Sequence, residues 1–216
     1  MPAKMRFRDR REAGRFLAER LEHYAGRADV IVLGLPRGGV PVAAEIAMRL
    51  PAPLDIFIVR KLGVPGYPEL AMGAIASGGL RVVNEDVLRY LPEAARTLDA
   101  IATRELAEIA RREETYREGR PPLELRGRIV ILVDDGLATG ATMRAAAESL
   151  RLREVAKLVV AVPVGSAQTC REFETAADET ICALAPADFE AVGQYYEDFS
   201  PTTDDEVYEL LAAAEK

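Results

Sequence analysis

Apolar positions along the chain fall into continuous runs separated by helical periodicities. "DVIVLGL" (29–35), "LDIFIVRK" (54–61), "RIVILVDD" (128–135) and "AKLVVAVPV" (156–164) each hold an unbroken apolar block, the pattern of strands buried on both faces. "ETICALA" (179–185) predicts a last strand. Between them lie segments with helical spacing. Phe16, Leu17, Leu21 and Tyr24 mark an opening helix over 9–25, and "GVPVAAEIAMRL" (39–50), "TGATMRAAAESLRL" (139–152) and "SAQTCREFETAA" (166–177) each follow a strand. A longer charged helix over 92–117 carries Leu98, Ile101, Leu106 and Ile109 as its apolar stripe, preceded by a short helix near Asn84. "AMGAIASGGLRVVN" (71–84) places two apolar runs around Ser77-Gly78-Gly79, a hairpin signal. Thr203, with Glu206 three residues on, caps a final helix. Alternating strands and helices predict an α/β fold, a mostly parallel sheet with helices on both faces. Ligands of such sheets bind at the carboxyl ends of the strands, so those ends are where chemistry is sought.

Composition narrows the picture. No Ser/Gly- or Pro-rich linker divides the 216 residues, so one domain is expected over 1–216, with a hairpin or flexible loop at 61–84 and a helical insertion at 85–118. A net charge of −7 argues against a nucleic-acid partner, which needs a basic face. No stretch approaches the roughly 18 uncharged apolar residues of a membrane span, and the N-terminus lacks an apolar signal core, so a cytoplasmic protein is expected. Cys170 and Cys182 are too few for a disulfide framework and lack C-x-x-C spacing, which makes both expected core residues. His23 is the only histidine and lies in the first helix, so a Ser-His-Asp or Cys-His mechanism has little to stand on.

The third strand ends in "VDDGLATGAT" (133–142). Asp134 and Asp135 are neighbouring anions on opposite faces of the chain, and something must compensate them: water, a sugar's hydroxyl donors or a divalent cation. Ala138, Thr139, Gly140, Ala141 and Thr142 then enter a helix whose free amides and dipole favour a phosphate. Gly136 and the small side chains let an anion approach the backbone, and the two threonines add hydroxyl donors. The plainer reading is an Asp-Asp-Gly turn with a threonine cap. A Walker A lysine is missing, and no G-x-G-x-x-G follows a strand.

"ILVDDGLATGAT" resembles the signature of the type I phosphoribosyltransferases: hydrophobic residues, two acids, small residues, then Thr-Gly and another Thr. The resemblance implies a type I phosphoribosyltransferase-like fold with a small hood or flap. It puts Asp134 and Asp135 on the ribose hydroxyls of phosphoribosyl pyrophosphate, with Mg²⁺ held by them directly or through water, and residues 138–142 around the 5-phosphate. "LGLPRGGVP" (33–41) looks like the family's pyrophosphate loop, which would comprise Pro36, Arg37, Gly38 and Gly39 and hold pyrophosphate through the backbone N–H groups of Arg37, Gly38 and Gly39, often with a strained peptide; a Pro-Gly turn with a surface arginine is the alternative. "KLGVPGYPELAMG" (61–73) is read as a loop too long for a tight connection, and the family's mobile loop here brings positive charge, which by position is Lys61, unless that lysine only snorkels at a strand end. "FEAVGQYYEDF" (189–199) loosely resembles the base-binding segment of the purine members: Phe189, Val192, Tyr195 or Tyr196 would frame or stack on a base, and Glu197 or Asp198 would accept its hydrogen bond. An aromatic cluster that anchors the C-terminal segment fits the same residues. The insertion is a departure from the family, either a hood or a dimer surface.

The implied reaction displaces pyrophosphate from phosphoribosyl pyrophosphate by a nitrogen nucleophile, most simply a nucleobase. Arg37, Lys61 and Mg²⁺ would stabilise the leaving group and Asp135 the ribose, and the family favours a homodimer. Two other classes remain open: a non-catalytic sensor of phosphoribosyl pyrophosphate or a nucleotide, and, disfavoured for want of Asp-x-Asp, a magnesium-dependent phosphatase with Asp134 as nucleophile.

Overall fold

Strand β1 (Val30–Gly34) pairs in parallel with β2 (Leu54–Ile56) on one side and β6 (Ile129–Val133) on the other; β7 (Lys157–Val164) and β8 (Glu179–Leu184) extend the sheet to the order β2-β1-β6-β7-β8. This computed structural model describes residues 5–90 and 92–214. The unbroken apolar runs are explained by burial of both faces. Ile31, Leu33, Val130, Leu132, Leu158 and Val160 face α5 (Ala141–Arg151) and α6 (Ala167–Ala176). Val30, Val32, Ile129, Ile131, Val133 and Val159 alternate with them and face α1 (Arg10–Arg20) and α2 (Gly39–Arg49). The expected α/β architecture is therefore present. Among the described residues no helix is long and apolar enough to cross a membrane.

Two expectations for the middle of the chain need correction. "LDIFIVRK" is two strands. β2 ends at Ile56, the chain passes through Phe57 and Ile58, and β3 (Val59–Val64) begins a separate antiparallel sheet of order β3-β4-β5 with β4 (Tyr67–Ala76) and β5 (Arg81–Val83). The switch is held by Phe57 N–H donating to Gly34 O (3.1 Å) and Ile58 N–H donating to Ser77 Oγ (2.9 Å). Nor is "KLGVPGYPELAMG" a loop: it is the β3–β4 hairpin, turning at Gly66 with a left-handed φ of 79°. The Ser77–Gly79 connection between β4 and β5 is as expected.

After α3 (Glu85–Tyr90), α4 (Pro92–Arg117) lays the expected stripe on this second sheet: Leu98, Ile101, Leu106 and Ile109 pack with Ile56, Leu62 and Ile75. α7 (Asp204–Ala213) completes that core with Val207 and Leu211, and Thr203 Oγ1 accepts from Glu206 N–H at 3.1 Å as the cap.

Cys170 is buried as expected, yet it is bonded to Cys182, a disulfide that joins α6 to β8 across 12 residues. Neither cysteine lies in a local pairing motif; only the return of the strand beneath its helix brings them together. The bond closes a short loop, so Cys182→Ala should lower unfolding stability by about 2–3 kcal/mol in urea titration, and reductant should have the same effect on the unaltered chain.

Candidate active site

The two sequence motifs meet because β1 and β6 are neighbours in register, with Gly34 opposite Val133. Their loops leave the sheet side by side, tied at the root by Leu35 N–H donating to Val133 O (2.9 Å). The loop over β1 then runs through Pro36, a cis Pro36–Arg37 peptide and Gly38 into α2. It lies directly on the acidic pair. A methyl group at Gly38 would stand 2.0 Å from Asp135 Oδ2, and one at Gly39 would stand 2.6 Å from Val133 O and 2.9 Å from Asp134 Cα. At Gly39 the obstacles are backbone and only glycine fits; at Gly38 a methyl group would fit only if the Asp135 side chain moved.

Of the three loop amides expected to face pyrophosphate, that of Gly39 donates to Leu35 O (3.0 Å). Those of Arg37 and Gly38 carry no backbone partner among the described residues. The Arg37 side chain is half exposed, and its Nη1 lies 3.8 Å from Asp204 Oδ1. The same oxygen accepts from Tyr116 Oη at 2.6 Å, so the insertion helix, α7 and the loop meet at one carboxylate. Burial and Asp204 together push the Tyr116 hydroxyl up to about 12.

Asp134 and Asp135 are partly buried at the end of β6. Asp134 Oδ1 accepts from the Asp135 amide (2.9 Å), while Asp135 Oδ2 accepts from Arg10 Nε at 2.8 Å and forms an ion pair with Nη2 at the same distance. Burial first, and then the charge of Asp135, push the Asp134 carboxyl well above the usual carboxylate range. Burial also raises Asp135, with Arg10 opposing. The Asp135 carbonyl accepts from Tyr196 Oη (2.6 Å), and burial beside these acids raises that hydroxyl.

Gly136 follows, against Val192, and Leu137 is pinned by its N–H to Val164 O (2.8 Å). Ala138 O accepts from Thr169 Oγ1 of α6 at 2.8 Å. Thr139, Ala141 and Thr142 are exposed. Gly140 begins α5 from a left-handed φ of 72°, where a methyl group would also strike Phe173 and Thr169 at 2.8 Å, and no side chain caps the helix. Among the described residues the first amides of α5 thus have no intrahelical or side-chain acceptor, as an anion site needs. A cavity of about 760 Å³ brings Thr139, Ala141 and Thr142 together with Lys61 of β3. Asp134 and Asp135 do not line that cavity; they lie beneath the Gly38–Gly39 turn.

In the 189–199 segment only the two tyrosines are buried. Tyr195 and Tyr196 are buried with Phe7, Ala13 and Val164, and Phe189 stacks on Tyr195 at 5.9 Å. Phe7 N–H donates to Tyr195 O and Glu197 N–H to Phe7 O, both at 2.8 Å. In this structure both tyrosine rings anchor the C-terminal segment, the second of the two readings the sequence allowed. Glu197 is exposed, and Asp198 Oδ1 accepts from Ser200 N–H (2.9 Å) and Oγ (2.6 Å), which hold its carboxyl below the usual range.

Arg10, Tyr116, Thr169 and Asp204 are the site's unexpected members. Arg10 lies in a run of arginines with no distinguishing spacing, and its partner is 125 positions away.

Comparison with known proteins shows the family and the fold. The model of the phosphoribosyl transferase domain family matches residues 9–199. The Mycobacterium tuberculosis H37Rv protein named "Putative phosphoribosyl transferase Rv0571c" is 51% identical over 210 residues, covering 97% of this chain and 47% of that protein. The chain thus spans about half the length of the curated relatives it matches. The crystal structure of TT1426 from Thermus thermophilus is 45% identical, covers 97% of this chain and 99% of its own, and superposes with a TM-score of 0.85. AQ2163 from Aquifex aeolicus, 12% identical over 94% of this chain and 85% of its own with a TM-score of 0.51, shares the fold alone. With the family model matched from residue 9 through the acidic doublet and its loop to residue 199, the chain belongs to the phosphoribosyl transferase domain family.

Proposed function

We propose that the chain transfers the 5-phosphoribosyl group of phosphoribosyl pyrophosphate to a nitrogen nucleophile, a nucleobase, and releases pyrophosphate. The observation that carries this reading is the meeting of the two loops: an acidic doublet beneath a glycine turn with two unengaged amides, beside a helix start with no cap. One molecule with two sugar hydroxyls, a 5-phosphate and a pyrophosphate matches those features together.

In this reading the amides and hydroxyls of Ala138–Thr142 hold the 5-phosphate, and Asp134 with the remaining oxygen of Asp135 accepts from the ribose hydroxyls. The Arg37 and Gly38 amides hold the pyrophosphate, with the Arg37 and Lys61 side chains adding charge as it leaves. The donor set suits magnesium only as a guest that the substrate helps to hold. Among the described residues no three acidic, cysteine or histidine side chains gather into a metal site, and Arg10 already occupies one oxygen of the doublet. When bound there through Asp134 and Asp135, the ion would neutralise pyrophosphate charge. Phe189 and Val192 are left to border the acceptor.

The test is calorimetry with magnesium and phosphoribosyl pyrophosphate. Thr139→Val should weaken binding about 10-fold and Asp135→Asn roughly 10–100-fold, as the loss of neutral and charged hydrogen bonds implies, with folded circular dichroism spectra retained. Unchanged affinity in both variants would overturn the site. A nucleobase panel followed for pyrophosphate release and a new nucleotide mass then tests transfer; binding without release by any base would favour the sensor instead.

A further inference from the structure

We propose that Arg10 is a positioning residue, which locks the carboxylate of Asp135 to the 196–200 segment so that the ribose-holding loop and the segment beside it move as one body. The proposal rests on the phosphoribosyl pyrophosphate reading above. Arg10 opens α1, and its side chain is only 11% exposed. Its Nε donates to Asp135 Oδ2 at 2.8 Å, its Nη2 lies 2.8 Å from the same oxygen as an ion pair, and Nη1 donates to Ser200 O at 2.7 Å. The guanidinium lies 4.1 Å from the Phe199 ring centroid and 5.9 Å from that of Tyr196, whose hydroxyl donates to the Asp135 carbonyl. Asp135 is therefore gripped twice, by its side chain from Arg10 and by its backbone carbonyl from Tyr196, and Arg10 itself is tied to the 196–200 segment through Ser200 and Phe199.

Three consequences follow from that geometry. With Arg10 in place, one positive charge stands against the doublet, so a polyanionic substrate meets less repulsion there. Asp135 is held in one rotamer, with one oxygen committed and the other left for a ligand. The Gly38 turn also rests on the carboxylate oxygen that Arg10 holds, so its position depends on the same contact. Arginine suits this task because its planar fork serves the carboxylate, a carbonyl and a ring together, whereas lysine can satisfy one partner at a time.

The experiment measures binding of magnesium phosphoribosyl pyrophosphate to the unaltered chain, Arg10→Lys and Arg10→Met, with the melting temperature of each. Binding at least ~10-fold weaker in Arg10→Met, with Arg10→Lys between it and the unaltered chain and both variants melting alike, is the expected result. Equal affinity in all three overturns the proposal, as does a loss of affinity that merely follows loss of melting temperature. Should Arg10→Met fail to fold, Arg10→Lys decides alone: affinity equal to the unaltered chain overturns the proposal, and weaker binding at an unchanged melting temperature supports it. If the unaltered chain itself binds no phosphoribosyl pyrophosphate, the functional reading falls and takes this role of Arg10 with it, an outcome distinct from a variant that binds as well as the parent.

Discussion

Gly39→Ala should abolish measurable binding of phosphoribosyl pyrophosphate, a loss of more than about 100-fold, and lower stability by about 1–3 kcal/mol, the usual cost of forcing a methyl into packed backbone. The new methyl would lie 2.6 Å from Val133 O and 2.9 Å from Asp134 Cα. Both obstacles are backbone at the end of a central strand, so no side-chain rotation relieves the clash. The start of α2 must move away from β6, and it carries the Arg37 and Gly38 amides with it. Gly38→Ala makes an informative contrast. Its methyl would meet a side-chain atom, Asp135 Oδ2 at 2.0 Å, which can swing aside at the expense of its contact with Arg10. That variant should keep near-parental stability and still lose affinity. Urea denaturation and calorimetry on both variants check the pair, and a Gly39→Ala protein binding within about threefold of the parent would show that the turn does not shape the site.

The parts of this fold that sequence revealed are those where burial leaves a local trace. A central parallel strand such as Ile129–Val133 is apolar at every position because helices cover both faces, and the acids that follow it announce the strand's end. The α4 stripe was legible for the same reason. Hydrophobicity carries no mark, however, of which sheet a strand joins. Residues 54–64 stay largely apolar while their partner changes from β1 to β4 at Phe57–Ile58, so one strand was expected where two exist. The 61–73 stretch misled through its Pro-Gly pair, which marks a hairpin turn and not a long loop. The candidate site is legible wherever its groups are consecutive, as in Asp134–Thr142, and hidden wherever they come from afar. Arg10, Tyr116 and Asp204 reach it only through folding, and the tyrosines at 195 and 196 had the right residue types for a base pocket but packed against Phe7.

Arg117→Met should be strongly destabilising although it lies outside the candidate site, because it strands a buried carboxylate. Arg117 Nε donates to Asp55 Oδ1 at 2.9 Å and Nη2 to Ile56 O at 3.2 Å, while Nη1 lies 3.0 Å from Glu113 Oε1. Both side chains of the Arg117–Asp55 pair are 8% exposed. Removing one member of such a pair costs about 3–5 kcal/mol, chiefly the penalty of leaving the other charge buried, and in a chain of this size that lowers the melting temperature by roughly 10 °C. The pair joins the end of α4 to β2, so it fastens the second sheet's covering helix to the edge of the parallel sheet. Two comparisons give the prediction its edge. Arg117→Met with Asp55→Asn should recover most of the loss, since the fully buried charge is then gone and only the part-exposed Glu113 lacks its partner. Arg60→Met, which breaks the Arg60–Glu105 contact where the arginine is 35% exposed, should cost only about 1 kcal/mol because the buried Glu105 keeps its second partner, Arg104, at 3.0 Å. Calorimetric melting of the four proteins ranks these effects, and an Arg117→Met loss no greater than that of Arg60→Met would mean that α4 is held by its apolar stripe alone.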